Sequence, residues 1–197
     1  MKLVNREKLF GRRGVDGLHF IGIGGAGMSV LARIMLTLGF AVTGSDLRES
    51  PVTERLVSRG AGIFKGHRKR NLGRTDLVVY SSAVRSDNPE LAAARERGIP
   101  ILHRSELLAG LMRLKRGVAV AGSHGKTTTA AMIAWILVEG GYRPSLALGG
   151  EVIGMEDNTG WGEGPVLVAE ADESDGSLER LRPDREVITC GSVRTGK

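Results

Sequence analysis

Short runs of Val, Ile, Leu and Phe alternate along the chain with longer segments in which apolar residues recur every three or four positions. The first kind has the length of a buried strand, and the second has the period of a helix. "LHFIGI" (18–23) predicts a strand, and "MSVLARIMLTLG" (28–39) predicts the helix after it. "AVTGS" (41–45) predicts a second strand, "TERLVSRG" a short helix, and "AGIFKG" an edge strand. "DLVVYSSA" (76–83) has the continuous apolar character of a strand buried on both faces. Pro89 opens the helix "PELAAARERG", where its missing N–H breaks no bond. "IPILH" and "SELLAGLMRL" complete this first unit.

The alternation then starts again. "GVAVAGS" (117–123) predicts a strand, "TTTAAMIAWILVEGG" a helix, and "RPSLALGG" a short strand or turn. The polar, glycine-rich "GMEDNTGWGEG" (154–164) predicts a surface loop, followed by strands in "PVLVAEADESDGS" and "REVITC". Strands alternating with helices predict an α/β fold with a mostly parallel sheet. The division is expected near Lys115–Arg116, giving a Rossmann-like domain over residues 1–115 and a second α/β unit over 116–197.

Composition narrows the class. Of the 197 residues, 41% are hydrophobic and only 4% aromatic, so the core must be aliphatic. No apolar run reaches the roughly 18 residues that cross a bilayer, and no membrane insertion is expected. The N-terminal segment has basic residues without an apolar stretch behind them, unlike a secretory signal. The single cysteine, Cys190, excludes an internal disulfide and fits a reducing cytoplasm. The net charge of +6 is scattered rather than clustered with aromatics, so nucleic acid is not an expected partner. "GHRKRNLGR" (66–74) is the densest basic run and reads as a solvated loop, with His67 at the surface.

Two glycine-rich turns carry the candidate chemistry. "GIGGAGMS" (22–29) sets Gly22, Gly24 and Gly27 in G-x-G-x-x-G spacing, with Gly25 and Ala26 among them, between a strand and a helix. Such a turn lets backbone approach a diphosphate at a helix N-terminus. Asp46, ending the second strand, stands where a carboxylate reaches a ribose hydroxyl. Alone, these features read as a dehydrogenase-type site for a nicotinamide cofactor or as a plain structural turn. Ser81 and Ser82 end a parallel strand, the edge at which open sheets bind ligands; capping of the next turn would also explain them.

The second turn is "VAVAGSHGKTTTAA" (118–131). Val120 stands where the longer G-x-x-x-x-G-K-[ST] pattern has its first glycine, so the segment is either a shorter phosphate loop or a glycine-rich turn. As a phosphate loop it comprises Gly122, Ser123, His124, Gly125, Lys126, Thr127 and Thr128. The glycines leave amides pointing inward, Lys126 reaches the β- and γ-phosphates, and Thr127 offers its hydroxyl to magnesium. His124 reads as positional. "LVAEADESDGS" then supplies Glu170, Asp172, Glu173 and Asp175 at the end of a strand. Glu170 is the candidate magnesium ligand, and a solvated acidic turn is the alternative.

Taken together and in order, "HFIGIGGAGMS", "GSD", "SSAVRSDNPE", "AGSHGKTTT" and "AEADESDGS" resemble the Mur ligases, ATP-dependent enzymes that add amino acids to the peptidoglycan precursor. The resemblance runs from about His19 to Thr189 and is strongest to the members that join L-alanine to UDP-N-acetylmuramate. The family's shorter G-[ST]-x-G-K-T loop makes Val120 regular. The resemblance implies that Gly22, Gly24, Gly25, Ala26, Gly27, Asp46, Ser81 and Ser82 hold the UDP-sugar rather than NAD. It also implies that residues 122–128 bind ATP, with Lys126 on its phosphates and Thr127 and Glu170 on magnesium.

In the family, "EVIT" continues with an Asn, an acidic residue and a nearby His; here it reads "CGSVRTGK". The expectation is a chain that lacks the rest of the central domain and the C-terminal ligase domain, and that by itself does not ligate L-alanine. A non-catalytic UDP-sugar-binding module and an NAD-dependent oxidoreductase remain the alternatives.

Overall fold

The computed structural model describes residues 5–149, 159–171 and 181–189. A short helix α1 (Arg6–Phe10), not anticipated from the sequence, leads into β1 (Gly17–Ile21). Four further strands follow: β2 (Ala41–Asp46), β3 (Gly62–Lys65), β4 (Leu77–Tyr80) and β5 (Ile101–His103). They form one fully parallel sheet in the order β3-β2-β1-β4-β5, with β3 at an edge as expected. Helices α2 (Ala26–Thr37), α3 (Pro51–Ser58), α4 (Pro89–Glu96) and α5 (Arg104–Met112) make the crossovers and the exit.

Local chemistry explains these boundaries. Ser50 and Thr53 form a reciprocal capping box that starts α3 two residues before the predicted "TERLVSRG", with Pro51 in the first turn. Asn88 caps α4 by accepting from the amides of Glu90 and Leu91, and Pro89 takes the first helical position. His103 caps α5 through its ring nitrogen, with Glu106 returning the bond. Within the basic run, residues Lys69–Leu72 make a 3-10 turn that buries Asn71 and Leu72 while Arg68, Lys69 and Arg70 stay exposed.

The second sheet begins at β6 (Arg116–Ala121), the first residue of the expected second unit. Helix α6 (Lys126–Glu139) leads to β7 (Ser145–Ala147), β8 (Thr159–Gly160), β9 (Val166–Glu170) and β10 (Arg185–Ile188). Their order is β10-β6-β9-β7-β8, parallel except for β8, which pairs antiparallel with β7. Part of the expected surface loop 154–164 is therefore a strand: β8 exists because β7 offers it an open edge, which no local pattern announces.

The main apolar cluster does not stop at the junction. It runs from Leu18, Phe20 and Met35 to Ala119, Ala121, Leu167 and Ala169, and α2 touches β7 and β8 of the second sheet. Ala130 and Ala134 bury the inner face of α6 against a smaller cluster containing Val120 and Val168. Small residues there let the helix lie close over the strands that carry the second turn. Among the described residues, no helix is long and apolar enough to cross a membrane.

Candidate functional site

In each sheet the strand that precedes a glycine-rich turn is an inner one, flanked on both sides by later strands. In the first sheet β1 lies between β2 and β4, which places the turn after β1 beside the ends of the other two. In the second, β6 lies between β10 and β9. Open parallel sheets bind ligands in such crevices, beyond the carboxyl ends of their strands.

At the first crevice, Gly22 takes φ 75°, and the amides of Gly22 and Ile23 donate to the carbonyl of Ser45 at 2.8 and 3.0 Å. The chain then turns into α2, whose first turn carries no acidic residue and whose cap, Gly25, makes no side-chain bond. The Ala26, Gly27 and Met28 amides are thus first-turn donors without intrahelical partners. Asp46 accepts from the Gly24 amide at 2.8 Å and from that of Arg48 at 3.3 Å. Its first task is therefore to hold the glycine turn.

The glycines at 24 and 27 have close neighbours. A Cβ at Gly24 would lie 2.9 Å from the Asp46 carboxylate, and one at Gly27 would lie 2.5 Å from the Arg104 guanidinium. Arg104, at the start of α5, thus brings a cation to the mouth of the turn, and nothing in its local sequence marked it. A cavity of about 380 Å³ opens alongside, walled by Asp46, Arg48, Thr53, Phe64 and Lys65. Ser81 follows β4 directly, and the Ser82 hydroxyl pairs with His103 Nε2 at 3.1 Å. His103 in turn meets the Ser105 hydroxyl at 2.7 Å, so Ser82 belongs to a polar chain reaching α5.

Beneath this crevice lies a buried polar cluster that sequence reasoning missed. Glu90 is fully buried on α4, and its carboxylate accepts from the Ser45 hydroxyl at 2.5 Å, the Asn71 amide at 2.6 Å and the Arg68 backbone at 3.3 Å. His67 Nδ1 stands 3.2 Å from Glu90 and 2.8 Å from Ser45, which corrects the surface reading of this histidine. His19 Nε2 is 3.6 Å away, while its Nδ1 pairs with Thr43. Burial raises the Glu90 pKa, but His19 and the donors of Ser45 and Asn71 overcome that and leave it below its ordinary value. The cluster ties β1, β2 and α4 together under the glycine turn.

At the second crevice, Gly122 takes φ 131° and Gly125 φ 79°, conformations closed to most side chains. Lys126 is the first residue of α6, and its ammonium folds back onto the carbonyl of Gly122. This is a nest of backbone amides with a cation at its rim, the arrangement that holds phosphate. Ser123, His124 and Thr128 lie exposed on it, and Thr127 is half-buried at the helix start.

Glu170 ends β9 directly opposite Val120 of β6, one strand away from the loop. Its Oε1 is buried and has no hydrogen-bond partner among the described residues. A buried, unpaired carboxylate oxygen is costly unless a cation reaches it. The donor set fits magnesium, which takes one or two carboxylates and completes its shell with water and phosphate oxygens. Among the described residues, no group of three His, Cys, Asp or Glu gathers as a protein-only metal cage. Asp172, Glu173 and Asp175 lie outside the described residues. Thr189, which the sequence did not single out, closes the loop from below with bonds to Ala121 and His124.

Residues 17–116 match the family described as Mur ligase family, catalytic domain. Over 181 residues the chain is 53% identical to a UDP-N-acetylmuramate–L-alanine ligase of Myxococcus xanthus, covering 92% of this chain and 38% of that protein. It is 51% identical over 178 residues to the protein of the same name from Aquifex aeolicus, with 90% and 39% covered. The chain thus spans about two fifths of the length of these curated relatives. Among solved structures, the UDP-N-acetylmuramate–alanine ligase of Thermotoga maritima superposes with a TM-score of 0.83 at 38% identity, over 90% of this chain and 42% of that one. A Neisseria UDP-N-acetylmuramate:L-alanyl-γ-D-glutamyl-meso-diaminopimelate ligase gives the same TM-score at 26% identity, over 90% and 61%. With the family match running over half of its length and a parallel-sheet fold shared with these ligases, the chain belongs to the Mur ligase family.

Proposed function

We propose that this chain is the sugar-nucleotide- and ATP-binding portion of a cytoplasmic ligase that joins L-alanine to UDP-N-acetylmuramate, in peptidoglycan synthesis. Residues 1–115 form the unit for the UDP-sugar, and residues 116–197 belong to the unit for ATP. The observation that carries the reading is the buried Glu170 oxygen that has no hydrogen-bond partner among the described residues, beside a short phosphate loop at the crevice where a metal–nucleotide complex belongs. The names of the relatives supply the two substrates.

The diphosphate of the UDP-sugar lies on the first turn of α2, against the amides of Ala26 and Gly27 and the guanidinium of Arg104. The nucleoside enters the cavity walled by Asp46 and Phe64, where an exposed aromatic face offers a stacking surface. Asp46 Oδ1, held only by the long bond from the Arg48 amide, keeps acceptor capacity for a ribose hydroxyl. Gly22, Gly24 and Gly25 shape the approach, and Ser81 and Ser82 border it from β4.

The chemistry requires a poor electrophile to be activated. The lactyl carboxylate attacks the γ-phosphorus, ADP leaves, and the amine of alanine then displaces phosphate from the acyl phosphate. Residues 122–128 hold the nucleotide's phosphates through backbone amides, and Lys126 swings from Gly122 to the β- and γ-oxygens, offsetting charge as it builds. Thr127 and Glu170 would hold magnesium, which neutralises the phosphate oxygens when bound.

Calorimetric titration of the purified chain with UDP-N-acetylmuramate, with magnesium and ATP, and with NADH tests the proposal. The first two bind and NADH does not. Lys126→Ala loses ATP binding, because the charge-assisted contact of the ammonium to the phosphates is removed, and keeps the UDP-sugar. Binding of NADH with no response to the UDP-sugar would overturn the assignment.

A further inference from the structure

We propose that Thr189 is a positioning residue for the phosphate loop, fixing the peptide that presents the Gly125 amide to phosphate. The inference rests on reading residues 122–128 as a phosphate site and assigns to a residue outside that motif the task of holding its shape.

Three contacts meet at Thr189. Its backbone amide donates to the carbonyl of Ala121 at 3.0 Å, continuing the ladder in which Ile188 of β10 faces Ala121 of β6. Its hydroxyl donates to the carbonyl of His124, with the Ala121 carbonyl also within 3.2 Å. Its Cβ packs against Gly125, 3.7 Å from where a Cβ would sit on that glycine. One residue therefore bridges the two ends of the loop: Ala121 enters it, and His124 and Gly125 leave it for α6.

The bridge determines which way the loop amide faces. A trans peptide is planar, so its C=O and N–H point in opposite directions. With the His124 carbonyl held toward Thr189, the Gly125 N–H is aimed away from β10, toward the crevice. No acceptor among the described residues takes that N–H. The left-handed φ of 79° at Gly125 continues the same turn, so that the first α6 amides follow in line. Without the hydroxyl, the peptide is free to rotate in the plane-flipping motion that glycine-rich turns permit, and the amide is lost as a preorganised donor. The arrangement also couples the site to β10: the loop is set only when β10 is docked on β6.

The test compares Thr189→Val, which keeps the branched shape without the hydroxyl, with Thr189→Ser, which keeps the hydroxyl. ATP with magnesium is titrated by calorimetry, the UDP-sugar serves as control, and the Gly125 amide resonance is followed by NMR. Thr189→Val is expected to weaken ATP binding about five- to tenfold, within what the loss of one hydrogen bond costs. UDP-sugar binding stays unchanged. Thr189→Ser is expected within about twofold of the native chain, with the Gly125 resonance moving on ATP addition as in the native chain. If Thr189→Val unfolds, Thr189→Ala takes its place with the same readouts. Native-like ATP affinity and a native-like Gly125 shift in the hydroxyl-free variant would overturn the assignment while leaving the phosphate site standing. Failure of the native chain itself to bind ATP would overturn both.

Discussion

Replacing Glu90 tests whether the buried cluster under the first crevice holds the fold that carries it. In Glu90→Ala the Arg68 amide loses its acceptor, Asn71 keeps only its bond to the Gly66 carbonyl, and Ser45 keeps only His67. His19, whose Nε2 has no hydrogen-bond partner among the described residues, loses the carboxylate that faces it at 3.6 Å. Stripping the acceptor from these buried donors, at about 1–3 kcal/mol for each one left unsatisfied, costs about 3–5 kcal/mol, which in a chain of this size lowers the melting temperature by about 10 °C. Glu90→Gln is milder. Its carbonyl can stay on the Asn71 and Arg68 side, and its amide can donate to Ser45, whose proton turns to His67. Only the charge is lost, for about 1–2 kcal/mol. The sign with pH follows from the lowered carboxyl pKa: the stabilising increment is complete above the ordinary value of 4.5 and is lost as pH falls through the lower folded value. Urea unfolding at pH 7 and at pH 3.5 measures both effects. Equal midpoints for the native chain and Glu90→Ala at pH 7, or a Glu90→Gln cost as large as that of alanine, would refute the account.

Three further outcomes are expected. Glu170→Gln should weaken magnesium-dependent ATP binding more than metal-free binding; equal losses in paired titrations would refute the magnesium assignment. Gly44→Ala should destabilise by about 1–3 kcal/mol, since its Cβ would lie 2.6 Å from Ile23 and 2.7 Å from the Phe20 carbonyl, and thermal melts would show it. Lys115, half-buried over Trp161 and bonded to the carbonyls of Gly162 and Gly164, has its pKa lowered to about 8 by burial. Its charged form is penalised in the fold, so the native chain should gain stability relative to Lys115→Gln as pH rises from 8 toward 10.5. A difference that stays flat across that range in chemical denaturation would count against the burial argument.

Strands, helices and both glycine-rich turns were legible in the sequence because each is written in consecutive residues. Apolar runs the length of a strand, the Pro89 start of α4 and the spacing of Gly22, Gly24 and Gly27 are local signals, and backbone geometry follows from them. The same holds for Gly122, Gly125 and Lys126, whose loop depends on positive-φ glycines followed by a helix start. The motif combination also pointed to the family that the comparisons bear out.

What the sequence did not disclose depends on residues far apart in the chain. His67 read as surface because its run is cationic; its ring is instead half-buried and turned onto Glu90, which lies 23 positions away. Asp46 was marked for a ribose, yet its first partner is the Gly24 amide, fixed when β2 docks beside β1. Arg104 reaches Gly27 only because α5 returns across the sheet, and β8 became a strand only because β7 left an edge open. Glu170 was visible as a carboxylate, but the burial of its Oε1, without a partner among the described residues, depends on β9 lying between β6 and β7. Sequence settled the conformations that short-range sterics and periodicity control, while tertiary packing decided which polar atoms found partners, because that depends on which strands become neighbours.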